Sequence, residues 1–438
     1  MEESSPSAGR ATLSIAASER SELLRALYTA ALRGGDPGPA VRRALLAGPM
    51  PDRPWLIAIG KAALPMTRAA LDALRSVGRA ALGGVAVAPE APLAALDSIE
   101  VVIGDHPLPG ARSLDAANAV GRLAARTAAG DDVLILLSGG ATSLIAAPLP
   151  GMSLAALRDL FTLLGAAGLD IVTMNAIRRR FVRWGGGRLA EALEGRRIRV
   201  LAISDVPGDD PSAIGSGPCL PDPLTAREVM DALVTQGLAR RMPADGISLL
   251  DRTIENPALE TPKPGVLGRV AHEIILSNRE AVQAVADEAI RRGFAPVVAG
   301  PLEGEASAAG RALARRLLSA PYGQLLVWGG ETTVTLGPSI GRGGRCQELA
   351  LAAALELRGA PATLLAAGTD GRDGPTDAAG AIVDGGTAAR IASEGIDPDG
   401  ALAGHDAWRA LDAAGALLRP GPTGTNVMDV AIGLRGNS

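Results

Sequence analysis

A chain of 438 residues, 47% hydrophobic and 21% charged, exceeds one ordinary core, and two domains are the expectation. The formal net charge of −4, with both signs interspersed, argues against a nucleic-acid groove or a polybasic membrane patch. Only Cys219 and Cys346 are present, which rules out a disulfide framework or a four-ligand zinc site and fits a reducing cytoplasm.

The first residues, MEESSPSAGR, are acidic and polar with no apolar stretch, so no secretory signal is expected. Aromatics make up 2% of the chain, leaving Ala, Leu, Val and Ile to build the interior, a composition that suits helices lying on a sheet. Strands are predicted at 55–60 (WLIAIG), 83–88 (GGVAVA), 100–104 (EVVIG), 133–140 (VLILLSGG) and 198–205 (IRVLAISD). Between them lie stretches of helical period such as 111–129, with Leu114, Ala117, Val120 and Ala124 on one face. Residues 133–157 carry no charge, yet Gly139, Gly140, Pro148, Pro150 and Gly151 break the run into strand, loop and helix start, against a membrane span. Periodicity fades over 238–270, where Pro243, Pro257, Pro262 and Pro264 suggest a crossing between domains. A second series follows: a strand near 272–277, a helix starting near Asn278, and strands at 324–331 (QLLVWGGE) and 362–370 (ATLLAAGTD). Short apolar runs alternating with helices predict doubly wound α/β architecture with parallel sheets, divided as domains 1–240 and 265–438.

Ligands of open α/β sheets bind beyond the carboxyl ends of the strands, so the loops there carry the search for chemistry. Glycine-rich turns that open helices bring backbone amides close to an oxyanion. SGGATS fits that description, with Ser138, Gly139, Gly140 and Ser143 as candidates, although a tight strand-to-helix turn would read the same. Lys61, in GKAA, opposes the dipole of the helix it starts and either meets an anion or reaches solvent. Arg345 and Gln347 stand at the mouth of another helix, where a guanidinium fork suits phosphate or carboxylate. GGET contributes Gly329, Gly330 and Glu331.

Acidic loops follow two strands, with Asp205, Asp209 and Asp210 in one and Asp370, Asp373 and Asp377 in the other. Hard oxygen donors at strand ends suit magnesium shared with phosphate oxygens, and the spacing does not match an EF-hand. Turns and caps are the competing reading, and Asp377 is assigned to it. His106, before Pro107, reads as a loop histidine ahead of a general base; Asn175 and Arg178 are polar groups beside apolar segments. No Walker A sequence occurs, and GGGRLA (185–190) is a poor dinucleotide fingerprint because it follows the basic RRRFVRW instead of a buried strand.

Taken in order, GKAA, GDHPLP, LLSGGATSL, NAIRRRF…GGGRLA, SDVPGDDPSAIGSGP, PDPLT, GGETTVTLG, GRGGRCQELALAAAL, GTDGRDGPTDAAGA and TGTNVMD resemble the two-domain glycerate 2-kinases whose C-terminal half is the MOFRL domain. The resemblance covers most of the chain. It implies an N-terminal Rossmann-like doubly wound domain, a second C-terminal α/β domain, and an active site in the interdomain cleft. The implied reaction is phosphorylation of D-glycerate at its 2-hydroxyl to 2-phospho-D-glycerate, with ATP and Mg2+ as cofactors. By position, Lys61 and Arg345 match the catalytic lysine and arginine, and residues 138–140 match the phosphate or substrate loop. Asp205 and Asp370 match acidic positions for metal or substrate hydroxyl. Asp205 thus joins the catalytic set, and Asp205, Asp370 and Asp373 form the metal set. Ser138, Gly139, Gly140, Ser143, Asn175, Arg178, Gly329, Gly330, Glu331 and Gln347 form the substrate and nucleotide set. Departures from the family pattern fall at Ala141, Thr142, Cys346 and Arg180. A homodimer is compatible with this reading, and the C-terminal tail is a candidate to pack on the first domain. The alternative activity, reduction of hydroxypyruvate by a nicotinamide cofactor, lacks a credible fingerprint.

Overall fold

The structure, a computed structural model, describes residues 16–437 except 93, 168, 170, 269 and 337–340. Two compact units divide the chain: one comprises 35–277 with 424–427, the other the helix Ala17–Gly34 with 278–423 and 428–437.

In the first unit, runs of Val, Ile, Leu and Ala fill both faces of the inner strands, while polar positions such as Glu100 and Glu273 fall on the edge strands. Its strands are β1 (Trp55–Ile59), β2 (Gly83–Ala88), β3 (Ile99–Ile103), β4 (Asp132–Leu137), β5 (Arg197–Ile203) and β6 (Val270–Leu276). All pair in parallel in the order β3-β2-β1-β4-β5-β6, with β1 and β2 buried along their whole lengths. Helices such as Ala63–Ser76 and Ala111–Arg126 supply the crossovers, the second burying Ala116, Val120 and Leu123. Strand order reverses between β1 and β4, so the loops leaving those two neighbours diverge and open a crevice at their carboxyl ends.

The stretch expected to cross between domains lies inside this unit. Helix Ala244–Glu255 puts Leu249 and Leu250 into a core with Met152, Leu160 and Phe181, and the chain then returns as β6 against β5. Its prolines mark turns around a packed helix; the passage to the other unit falls at Ser277 and Asn278 instead of within 240–265.

The second unit is built on β7 (Pro296–Leu302), β8 (Leu325–Gly330), β9 (Ala362–Gly368), β10 (Gly380–Asp384), β11 (Leu417–Leu418) and β12 (Asp429–Arg435), in the order β11-β10-β9-β12-β8-β7. Only β7 and β8 pair in parallel; β12 runs antiparallel between β8 and β9, and β10 antiparallel to β9. The parallel expectation therefore gives way here to a mixed sheet. Helix Ala17–Gly34 also belongs to this unit, burying Leu24, Leu27 and Tyr28 against it, whereas residues 1–240 were expected to form one domain. Tyr28 Oη donates to the Gly368 carbonyl at 2.7 Å, and Arg20 Nε to Thr363 Oγ1 at 3.0 Å. Among the described residues no helix is long and apolar enough to cross a membrane.

Candidate active site

At the β1/β4 reversal, two turns lock into each other. Ser138 N donates to the Ile59 carbonyl at 3.0 Å, Lys61 N to the Gly139 carbonyl at 2.9 Å, and Ala62 N to Ser138 Oγ at 3.0 Å. Gly60, at φ +132°, admits this approach, since a Cβ there would lie 2.1 Å from Ser138 Oγ. Ser138 is fully buried and its hydroxyl is built into the turn. Ser143, by contrast, gives its proton to the Pro107 carbonyl at 2.7 Å, fastening the loop that carries His106. The two hydroxyls expected to face an anion thus hold loops together, because each finds a backbone partner inside the fold.

Charged groups gather on the glycines of the same turn. A Cβ on Gly139 would fall 1.8 Å from Asp205 Oδ2 and 2.8 Å from Asn426 Nδ2; one on Gly140 would meet the His106 ring at 3.0 Å and Lys61 Cγ at 3.4 Å. The aliphatic stem of Lys61 therefore runs along Gly140, and the carboxylate of Asp205 sits against Gly139. Asn426 Nδ2 donates to Asp205 Oδ2 at 3.0 Å, and Thr425 Oγ1 to the Gly35 carbonyl at 2.5 Å, so the segment Gly424–Val427 is tied into this unit. The stem of a lysine, an acid and a carboxamide thus line adjacent glycines at the switch point of a parallel sheet, groups able to bind an anion and to move a proton.

The loop after β5 is braced from below. Asn175, 5% exposed, donates Nδ2 to the Ala213 carbonyl at 3.0 Å, and Thr142 Oγ1 lies 2.9 Å from Ser216 Oγ. Asn175, expected to touch substrate, instead supports this loop. Arg178 lies over the Phe161 ring, 4.7 Å from its centre, and burial lowers its pKa to about 10. Arg180, at a departure from the family pattern, is buried in an ion cluster with Asp222 (3.0 Å) and Glu260.

In the second unit, the helix Arg345–Glu356 opens beside the ends of β8 and β9 and the start of β12. Arg345 makes a forked pair with Asp429, Nε to Oδ2 at 2.5 Å and Nη2 to Oδ1 at 2.8 Å, while Nη1 meets Glu331 Oε1 at 2.8 Å. Burial would lower the arginine's pKa, but the charge and hydrogen bonds of Asp429, with Glu331 behind them, more than offset it and hold it well above its ordinary value.

Asp373 does something other than expected. It is 3% exposed, and its two oxygens accept the amides of Cys346 (3.2 Å) and Gln347 (2.8 Å), anchoring the first turn of that helix. Burial and the neighbouring charge of Asp429 push its carboxyl up to about 7, against the pull of the helix amides and Arg345. Expected among the metal ligands, Asp373 instead has both oxygens committed to backbone donors. Gln347, fully buried, donates Nε2 to Thr376 Oγ1 at 2.7 Å and to the Asp373 carbonyl at 3.2 Å, so it braces that loop and not a ligand. Gly329 and Gly330 answer to packing: a Cβ would lie 1.9 Å from Asn278 Oδ1 and 2.3 Å from the Leu302 carbonyl respectively. Asp370, half-buried, accepts the Arg372 amide at 3.0 Å in a short turn. Among the described residues no three His, Cys, Asp or Glu side chains gather as a metal cage.

Sequence reading missed Asp429, Asn426 and Tyr28. The first two stand in the motif TGTNVMD, which carried the resemblance without a role attached to either residue; no local signal marks Tyr28.

The family model described as a domain of unknown function (DUF4147) matches residues 23–251, and the MOFRL family model matches 324–429. The chain is 38% identical over 388 residues to a glycerate 2-kinase of Pyrococcus horikoshii, covering 87% of each. It is also 38% identical over 401 residues to a D-glycerate 2-kinase of Thermotoga maritima, covering 87% of this chain and 91% of the relative. A crystal structure of glycerate kinase from Thermotoga maritima superposes with a TM-score of 0.81 at 34% identity, covering 95% of this chain and all of that one.

Proposed function

The chain belongs to the glycerate kinase family that joins DUF4147 to MOFRL, and on that premise we propose that it transfers the γ-phosphoryl group of ATP to the 2-hydroxyl of D-glycerate. It is a kinase acting on glycerate with a nucleotide phosphate donor. The observation that carries the finer reading is the meeting of Lys61 and Asp205 on the paired glycines at the β1/β4 switch point.

Phosphoryl transfer asks for alignment and charge neutralisation more than for covalent help from the protein. In this reading Lys61 and Arg345 supply the two cations required, one for the γ-phosphoryl oxygens and one for the carboxylate of glycerate. The 2-hydroxyl passes its proton to Asp205 as its oxygen bonds the γ-phosphorus, the bond to the bridging oxygen breaks, and ADP leaves. Asn426 holds one Asp205 oxygen and so fixes the direction from which the carboxylate meets the hydroxyl. The donor set suits Mg2+, an ion that keeps several waters and is carried largely by phosphate oxygens, so one or two carboxylates suffice. Asp370 would hold it, with Asp205 the other candidate, and it would neutralise phosphate charge. A cytoplasmic setting and a homodimer belong to the same reading.

Reductase chemistry finds no support in the glycines of residues 185–190. They lead from a bridge at Val182 into the five-residue helix Arg188–Ala192, and among the described residues no parallel strand runs directly into them. The test is purified enzyme with ATP, Mg2+ and D-glycerate, the product identified by phosphorus NMR, and NADH oxidation followed with hydroxypyruvate. The 2-phosphate is expected, with Lys61→Ala slowed roughly a hundredfold or more. Formation of the 3-phosphate, or near-normal turnover by Lys61→Ala, would refute it.

A further inference from the structure

We propose that Asp429 is the positioning residue of Arg345 and that Glu331 is a counter-ion which the anionic substrate displaces, an inference resting on the role given to Arg345 above. The two carboxylates on this guanidinium are not equivalent. Asp429 is fully buried and both its oxygens take the inner edge of the fork, Nε and Nη2. Its backbone is fixed equally firmly. It opens β12 opposite Gly330 of β8 and Gly368 of β9, its carbonyl accepts Asn278 Nδ2 at 3.0 Å, and the Met428 carbonyl before it accepts both Thr369 N (3.0 Å) and Thr369 Oγ1 (2.7 Å). A carboxylate on a three-strand junction cannot follow the arginine, so the arginine must follow it.

Glu331 meets the outer edge. It follows the end of β8, its side chain is 33% exposed against 1% for Asp429, and it pairs with Nη1 where Asp429 takes two nitrogens. A water-accessible ion pair of this kind gives little net stabilisation and exchanges readily for another anion. The phosphate or carboxylate of a substrate has the same charge and geometry as the group it would replace. Asp429 therefore presents Arg345 in one orientation, and Glu331 occupies its outer edge until substrate arrives.

Chemical rescue separates this from a plain stability effect. In Arg345→Ala the Asp429 carboxylate remains, and free guanidinium at tens of millimolar should restore activity at least several-fold; in Asp429→Asn/Arg345→Ala it should restore none. Asp429→Asn alone should lower kcat about tenfold or more, as misplacement of a catalytic cation does, with KM for ATP and glycerate little changed. Glu331→Gln should change KM for one substrate several-fold. Thermal melts of each variant register loss of folding separately. Equal rescue with and without Asp429, no rescue in Arg345→Ala, or near-normal kcat in a folded Asp429→Asn would each overturn the positioning role. An unchanged KM in Glu331→Gln would overturn the displacement. Were Arg345→Ala itself nearly as active as the wild type, the role of Arg345 would fall first and this inference with it.

Discussion

A methyl group is the smallest probe of the switch-point turn. Placed on Gly139 it would overlap Asp205 Oδ2 and crowd Asn426 Nδ2, and a distance of 1.8 Å cannot be relieved by small adjustments. The carboxylate is the part that can move, since Gly139 is pinned through its carbonyl to Lys61 N and through the neighbouring Ser138 to β1. Gly139→Ala is therefore expected to displace Asp205 and cut kcat roughly a hundredfold, because an ångström of misplacement has that effect on aligned chemistry. Melting temperature should fall by much less than a core cavity would produce. Steady-state kinetics beside a thermal melt check it: normal turnover, or collapse of the fold, would count against this account of the turn.

The helix Arg345–Glu356 shows how one element can be legible in its residues and hidden in its supports. Glycines before a cationic helix mouth pointed to an anion, and the structure does set Arg345 there; the groups that hold it lie far away in sequence. Asp429 stands in a C-terminal stretch where β12 went unread, and Asp373 looked like a metal ligand among other loop carboxylates. Local composition cannot show which carboxylate faces water and which lies under a helix end, because the difference is made by tertiary packing. The first sheet was readable for the opposite reason: its central strands β1 and β4 are apolar runs that end in glycine-bearing turns. β11 is two residues long and β12 is interrupted by Gly433, and the antiparallel pairing of β10, β11 and β12 follows from the chain's return path, which no periodicity encodes. The buried acid also gives this element a pH signature. With its carboxyl lifted to about 7, Asp373 binds a proton more tightly folded than unfolded, so its contribution to stability falls as pH rises from the ordinary carboxylate range to 7. Denaturant titrations across that window should show the decline. Asp373→Asn should flatten it while weakening the helix anchor by about 1–2 kcal/mol. A wild-type profile that rises through the window would contradict the shift.

At the scale of the whole chain, neither unit is a continuous segment. The second takes its first helix from Ala17–Gly34, far ahead of its strands, and the first takes Gly424–Val427 from near the other end. A fragment beginning at Asn278, the choice a linear domain division would suggest, loses the helix that buries Leu24, Leu27 and Tyr28 and sends the Tyr28 hydroxyl to the end of β9. Removing three large buried side chains forfeits about 2 kcal/mol each, and the apolar faces of β9, β12 and the helix Asn278–Arg291 that they cover become exposed. A domain whose total stability is roughly 5–15 kcal/mol does not tolerate such a loss easily. Residues 278–437 produced alone are therefore expected to aggregate or to melt far below the full chain. Adding residues 16–34 through a flexible linker should recover a cooperative transition by circular dichroism. A fragment 278–437 that melts cooperatively near the full-length temperature would show that the N-terminal helix is an ornament of this unit and not part of its core.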